Sequence, residues 1–543
     1  MTAPKGFGFD CIQHYYQVYL TTRQKMGLRG HHIKCPQLFY ASILCIGIIA
    51  RVWMFGSNPP GLNQDEASIG IDAYSLWRYR VDRNGVSFPV LFVSWGSGQN
   101  ALYGYLMIPF IAVGGLSPIT VRLPMLISGI LTLPLVYYVG FRLSGPVFGL
   151  LSMWFMAISP WHILLSRWGL ESNILPFVFL LGFVCLLKSS RTKHWFVGAC
   201  VCFAASVYAY GTAYVVVPVM VFGSSVILLA AGRVRWRVVV WGWLILIVLA
   251  APIIAFIVIN SNKLDSVFLG PITIPRLPSQ PRHEAISILY HANWHTEITG
   301  NLVYAVEMLW SQTDHNNWNV IDPYGYFYGY TFPLAVLGLV GLIPASGDKF
   351  RIEKLLFFTW VLACLPVFAL QQVNINRMNI VFIPLIMSMS YPAVAVVNRF
   401  RKLFLLLAGC LFLVFGFWLH ALDSQRFLSE SRVAFSDGLL PALDFARNTP
   451  SVPICVSDSP NMPYIYALFV EKMRPGEFLD RVHYDDPRAP FRKVRSFGRY
   501  YFGLSDCPNT TDSVFVLLSG ESPPSHLGVY SVSEFGLFRV LKP

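Results

Sequence analysis

Apolar runs long enough to cross a hydrocarbon core recur along the chain from Leu38 to Leu419 and separate its charges into short clusters. The pattern predicts about eleven transmembrane helices, near residues 38–56, 119–140, 146–163, 173–188, 194–211, 213–231, 238–259, 329–346, 355–370, 377–397 and 403–420. A further apolar stretch, 100–115, is short, contains Pro109 and ends in Gly114–Gly115. It fits an amphipathic helix lying along the membrane at least as well as a span.

Charge decides how that stretch is counted. With 100–115 lying on the surface, Arg142, Lys188 with Arg191 and Lys193, Arg233 with Arg235 and Arg237, Lys349 with Arg351 and Lys354, and Arg399 with Arg401 and Lys402 all fall in the cytoplasm, as the positive-inside rule requires. The basic segment 1–37, with Arg23, Lys25, Arg29 and Lys34 before the first run and no nearby cleavage site, is then a retained cytoplasmic N-terminus. A domain over 38–421 carries two long non-cytoplasmic loops, 57–118 and 260–328, and residues 422–543 follow on that outer side. In this tail, short β-rich pieces at Val452–Val456, Val514–Leu518 and Leu537–Leu541 alternate with a helical stretch at Leu439–Arg447. The expected fold is an α-helical polytopic membrane protein with a small C-terminal extracytoplasmic α/β domain.

Composition agrees: 55% of the 543 residues are hydrophobic and 13% charged, against roughly 25% charged in soluble chains. The net charge of +13 comes from topological clusters rather than one basic face, so no nucleic-acid partner is expected. Of ten cysteines, Cys455 and Cys507 are the pair in the hydrophilic tail, and an oxidising compartment would permit a disulfide between them.

Four regions carry candidate chemistry. In the first outer loop, Asp65 and Glu66 follow a Pro-Pro-Gly turn and open a helical pattern. A carboxylate held there by backbone N–H groups stays ionised and can act as a base, or Asp65 merely caps the helix. The loop from Ser159 to Asn173 holds His162, Arg167 and Glu171, either a functional cluster or an Arg167–Glu171 pair at helical spacing. The second outer loop holds His291, His295, Glu297, Asp314, His315 and Asp322 without a compact ligand spacing, so a metal stays unassigned. The aromatic run that follows, with Tyr324, Tyr326 and Tyr328, suits an interfacial belt or stacking on a sugar or acceptor. Arg377, at the outer end of a span, either snorkels or binds a phosphate through its planar donor fork.

Together, the Asp65–Glu66 pair, the segment Asn100–Phe110, the Arg122-Leu123-Pro124 step with its long span, the Ser159–Glu171 loop and the segment Asn376–Pro384 resemble the GT-C superfamily of integral-membrane glycosyltransferases. The likeness is to the protein O-mannosyltransferase and aminoarabinose-transferase branch, and it covers most of the membrane part. It implies an inverting transfer of sugar from a polyprenyl-phosphate donor to a glycan, lipid or protein acceptor on the non-cytoplasmic face, with Asp65 as general base and Glu66 as its supporting neighbour. By the same resemblance Arg377 sits on the phosphate side, and Arg167 and Glu171, with His162 beside them, fall near the donor. The family often has Asp where Glu171 stands, and no repeat insertion of the eukaryotic mannosylating type is present, which implies a bacterial inner-membrane enzyme of the cell envelope. No cofactor is assigned, and a divalent-metal requirement stays open. Two rivals from other classes remain: a transporter or flippase for lipid-linked sugars, which predicts broken helices with charges at mid-membrane, and a non-catalytic assembly subunit, which predicts no turnover.

Overall fold

The computed structural model describes residues 36–282, 284, 287–290, 293–314, 316, 318–508, 512–522 and 530–543. The N-terminal cluster Arg23, Lys25, Arg29 and Lys34, and His291 and His315 of the second loop, lie outside the described residues. The chain falls into two units, Met1–Ser42 and Ile43–Pro543. What is described of the first is the opening of the helix Pro36–Val52.

Helices stand at all eleven predicted spans. Seven are long and apolar enough to cross a membrane: Pro118–Ser144, Glu171–Ser189, Ala213–Ala230, Trp236–Ser261, Arg351–Leu370, Ile375–Arg399 and Arg401–Leu422. Four more, Pro36–Val52, Pro146–Ala157, Trp195–Ala209 and Phe332–Leu342, are apolar but shorter. The shortfall has local causes. Pro146–Ala157 stops at Ile158, and Pro160 at the first position of a new short helix, Pro160–Leu165, turns the chain. The ambiguous stretch is a 13-residue helix, Leu102–Gly114, about 20 Å long against a hydrocarbon core of about 30 Å. Where helices face outward they stay greasy: Trp241 is 61% and Phe417 65% exposed, surface that only lipid solvates well.

The bundle is tied together at both ends of one long helix. Pro118–Ser144 starts at a Ser117 cap, with Thr120 completing the reciprocal capping box and Pro118 preset for the first turn. Near that start, Arg122 pairs with Glu66. At the far end, Arg142 bonds the Glu353 carboxylate at 2.8 Å and the Ser190 hydroxyl at 3.0 Å. The two arginines are twenty residues apart, about 30 Å of helix, so the Asp65–Glu66 pair and the basic clusters around Lys188 and Lys354 occupy opposite ends of the bundle. Helices approach closely through small residues: a Cβ on Gly338 would stand 1.8 Å from the Ser388 carbonyl oxygen.

The tail folds into a mixed seven-stranded sheet in the order Ser531–Phe535, Phe538–Lys542, Val514–Leu518, Ile454–Val456, Tyr500–Phe502, Val494–Phe497 and His483–Tyr484. Ile454–Val456 pairs in parallel with both neighbours and is apolar and buried throughout, as a strand covered on both faces must be. The helix Leu439–Arg447 lies where the sequence pattern puts it. Cys455 and Cys507 are joined by a disulfide with a Cα–Cα distance of 5.7 Å. The helix Pro463–Glu471 carries the domain onto the helix Gln64–Tyr79: the Tyr466 hydroxyl donates to the Leu62 carbonyl at 3.0 Å, and a Cβ on Gly70 would meet the Phe469 ring at 3.0 Å.

Candidate functional site

Asp65 sits in the first turn of the helix Gln64–Tyr79, but it is not the cap. Asn63 caps: its side-chain oxygen accepts from the Asp65 N–H at 3.0 Å, and Glu66 reaches back to the Asn63 N–H at 3.1 Å. Asp65 therefore keeps its carboxylate for other work. Oδ1 accepts from the Trp95 indole Nε1–H at 3.1 Å.

Trp95 stands in the turn of a small hairpin, Leu91–Phe92 against Gln99–Asn100. Gly96 and Gly98 in that turn have φ of +114° and +94°, which glycine adopts without the Cβ penalty. The hairpin also reaches the second candidate acid, because the Asn100 backbone N–H donates to Glu171 at the start of Glu171–Ser189. The Asn100 side chain accepts from the Tyr214 hydroxyl at 3.2 Å.

One guanidinium group faces both acids, and a second stands behind it. Arg282 donates its backbone N–H to the Ser97 carbonyl at 3.0 Å, and its side chain interacts electrostatically with Asp65, Glu171 and Tyr210. Arg377, on a helix capped by Asn374, donates to the Gln372 carbonyl and lies within electrostatic reach of Tyr210 and Arg282. Arg282, Arg377 and Glu171 gather around the Tyr210 phenol, and Arg282 links that group to Asp65, at the Arg122 end of the bundle. Burial pushes the Asp65 carboxyl above its ordinary range; Arg282, the Trp95 N–H and Arg83 oppose the rise, and the neighbouring Glu66 adds to it. A carboxylate of raised basicity beside a guanidinium can accept a proton while an anion is held nearby.

The other candidates separate from this cluster. Glu66 is fully buried and saturated: Arg122 binds it through Nε and Nη2, each at 2.8 Å, and the Gly169 N–H donates at 2.8 Å. It anchors the loop that presents Asp65 and has no acceptor site left for a reacting group. Arg167 does not pair with Glu171. It is a buried staple donating to the carbonyls of Asn58 at 3.1 Å, Ala50 at 2.9 Å and Trp53 at 2.6 Å. His162 is likewise buried, with Nδ1 2.6 Å from Arg51 Nη2. Together the two side chains bond the first helix and the turn that follows it.

Stacking by the aromatic run is corrected outright for two members: Tyr326 and Tyr328 are buried, Tyr326 against Phe382 at 5.5 Å and Tyr328 bonding the Ile158 carbonyl at 2.9 Å. Tyr324 packs on the same buried cluster. A ring enclosed by protein cannot offer its face to a sugar or a headgroup. Among the described residues, no three or more His, Cys, Asp or Glu side chains gather as metal ligands. Asp314 instead accepts from the Ile375 N–H at 3.0 Å and the Asn316 amide at 2.9 Å.

Trp95 and Arg282 escape a reading of the sequence alone, since neither lies in a motif and both gain their role through the hairpin turn. Glu66 did carry a usable mark. Asn63 followed three residues later by Glu66 is a capping box, which frees Asp65 from that duty.

No family model matches the chain, and no curated protein matches it. Among solved structures, ArnT from Cupriavidus metallidurans in the apo state aligns with a TM-score of 0.50 at 12% identity, covering 93% of this chain and 97% of that one. The same protein bound to undecaprenyl phosphate aligns at 0.47 and 11% identity, over 93% and 97% of the two chains. The oligosaccharyltransferase of Archaeoglobus fulgidus in the apo form aligns at 0.46 and 11% identity; this chain is covered over 82% and spans 64% of that longer protein. The first likeness shows the fold: an ArnT-like membrane bundle with a small C-terminal β-sheet domain.

Proposed function

On this ArnT-like fold, we propose an inverting glycosyltransferase of the GT-C kind that moves a sugar from a polyprenyl-phosphate carrier to an acceptor hydroxyl on the non-cytoplasmic face. The observation that carries the reading is the Asp65 carboxylate, released from capping and held beside Arg282, which in turn neighbours Arg377. The solved neighbour ArnT is also described with undecaprenyl phosphate bound, an anion of the kind that two guanidinium groups suit.

In the reaction, the acceptor oxygen attacks the anomeric carbon as Asp65 takes its proton. The bond from that carbon to the phosphate oxygen breaks, and the electron pair leaves with the carrier phosphate. Arg282 and Arg377 receive the growing negative charge, while Glu171, fixed by Asn100, faces Arg282 and the sugar side. The prenyl tail stays among the spans, the sugar phosphate rises between them, and the acceptor, a glycan, lipid or protein, arrives from water.

The orientation is part of the proposal: basic clusters in the cytoplasm, the Asp65 cluster and the C-terminal domain outside. The Cys455–Cys507 bond supports it, since disulfides persist in oxidising compartments. A transfer assay with a panel of polyprenyl-phosphate sugars tests the reading. Label moving from one donor to an acceptor supports it, and no turnover with any of them, alongside intact binding, overturns it in favour of an assembly subunit.

A further inference from the structure

The turn that carries Trp95 is gripped from the far end of the chain. The Trp95 carbonyl accepts from the Arg492 N–H at 3.0 Å, and Gly96 forms an antiparallel bridge with Phe491. Arg492 Nη2 donates to the Asn84 side chain at 3.1 Å. A Cβ on Gly96 would lie 3.1 Å from the Ala489 carbonyl oxygen, so the two backbones touch. The Trp95 indole is fixed on two sides: the Arg83 guanidinium lies 5.2 Å from the ring centre, and Tyr464 meets it edge-on at 6.2 Å. Arg83 is itself locked by Asp72 at 2.9 Å and the Ser68 hydroxyl at 2.7 Å. Phe491 lies 6.0 Å under the Arg282 guanidinium.

We propose that the C-terminal domain completes the active site, with Tyr464 and the segment Phe491–Arg492 as positioning residues that hold Trp95 against Asp65 and Arg282 beside it. This rests on the reading of Asp65 as the base. Six residues of one turn, Val93 to Gly98, join a carboxylate of the first loop, a cation of the second loop and a strand-flanking segment of the terminal domain. The domain also braces the helix that carries Asp65, through the Tyr466 bond to Leu62. A shift of the domain is therefore felt at Asp65 by two routes, and its position sets the base's hydrogen bond.

The charged and titratable groups facing Asp65 are Arg282, Arg83, Glu66, Glu171 and Tyr466. None of them replaces the indole donor. A donor to a carboxylate favours its ionised form, so loosening Trp95 raises the pH at which Asp65 gains its proton. The test is carbodiimide labelling of Asp65 in the full-length solubilised chain, read by peptide mass spectrometry across pH. It requires no turnover.

Trp95→Phe is expected to raise the labelling midpoint by about one pH unit, the size of one lost charge-assisted bond. Tyr464→Leu and Arg492→Pro are expected to raise it in the same direction, and to add nothing further in a Trp95→Phe background. Phe491→Ala, whose ring is 48% exposed, threatens folding least and is expected to raise it too, by freeing Arg282. Unmoved midpoints in the folded domain variants, or shifts that add in full to that of Trp95→Phe, overturn the proposal. Normal transfer with unmoved midpoints removes the clamp and leaves the enzyme; shifted midpoints with no transfer by the unaltered chain remove the enzyme and leave the clamp.

Discussion

The Trp95 indole donates to Oδ1 of Asp65 at 3.1 Å, across thirty residues of sequence and out of a turn whose other bonds reach Arg282 and Arg492. Because burial raises the Asp65 carboxyl above the ordinary range, the ionised base is lost on acidification earlier than an exposed aspartate, near pH 4, would lose it. The acid limb of kcat/KM against pH is expected above that value, with transfer rising as pH increases through it. A limb at or below pH 4 contradicts the burial of the base.

Arg282 comes from the second outer loop and Arg377 from the first turn of a helix, and the two lie within electrostatic reach of each other. Charge-assisted bonds to a phosphate are worth about 1.5–3 kcal/mol each, so replacing either arginine with alanine is expected to weaken donor use by roughly 10- to 100-fold, with acceptor KM changed far less. Steady-state kinetics with donor and acceptor varied in turn separates the two effects.

Glu66 and Arg122 predict a different kind of failure. Both are fully buried, and removing one partner of such a pair costs about 3–5 kcal/mol because the other charge stays buried alone. Glu66→Gln and Arg122→Ala are expected to lower the thermal unfolding temperature clearly, whereas Asp65→Asn leaves it nearly unchanged. Thermal denaturation of the three purified variants checks the contrast.

The disulfide closes a separation of 52 residues, for which chain entropy gives about 4 kcal/mol of stabilisation. Cys455→Ser is expected to loosen the terminal domain first, read as faster proteolysis there under conditions that leave the membrane helices intact. Equal cleavage with and without the bond contradicts this.

Much of this architecture was legible because its causes are local. Val514–Leu518 announces itself by composition, Leu439–Arg447 by its apolar spacing, and the long spans by length. The uncapped Asp65 was half-legible, since Asn63 and Glu66 spell a capping box while the indole donor comes from thirty residues away. Arg167 and His162 misled because charge in a membrane boundary suggests use, yet carbonyls left open around Ala50, Trp53 and Met156 consume their neighbourhood. Tyr326 and Tyr328 have the composition of a membrane belt, but depth is set by Phe382 and Ile158 from distant helices. Arg282 lies in a Pro-rich loop without motif, and only the Ser97 contact brings it in.

The most direct measurement is single-turnover sugar transfer by Asp65→Asn, with donor binding measured on the same preparation. Loss of a general base predicts a fall in the transfer rate of about 100- to 10,000-fold with donor affinity and thermal stability close to those of the unaltered chain. Transfer at the full rate contradicts the central assignment.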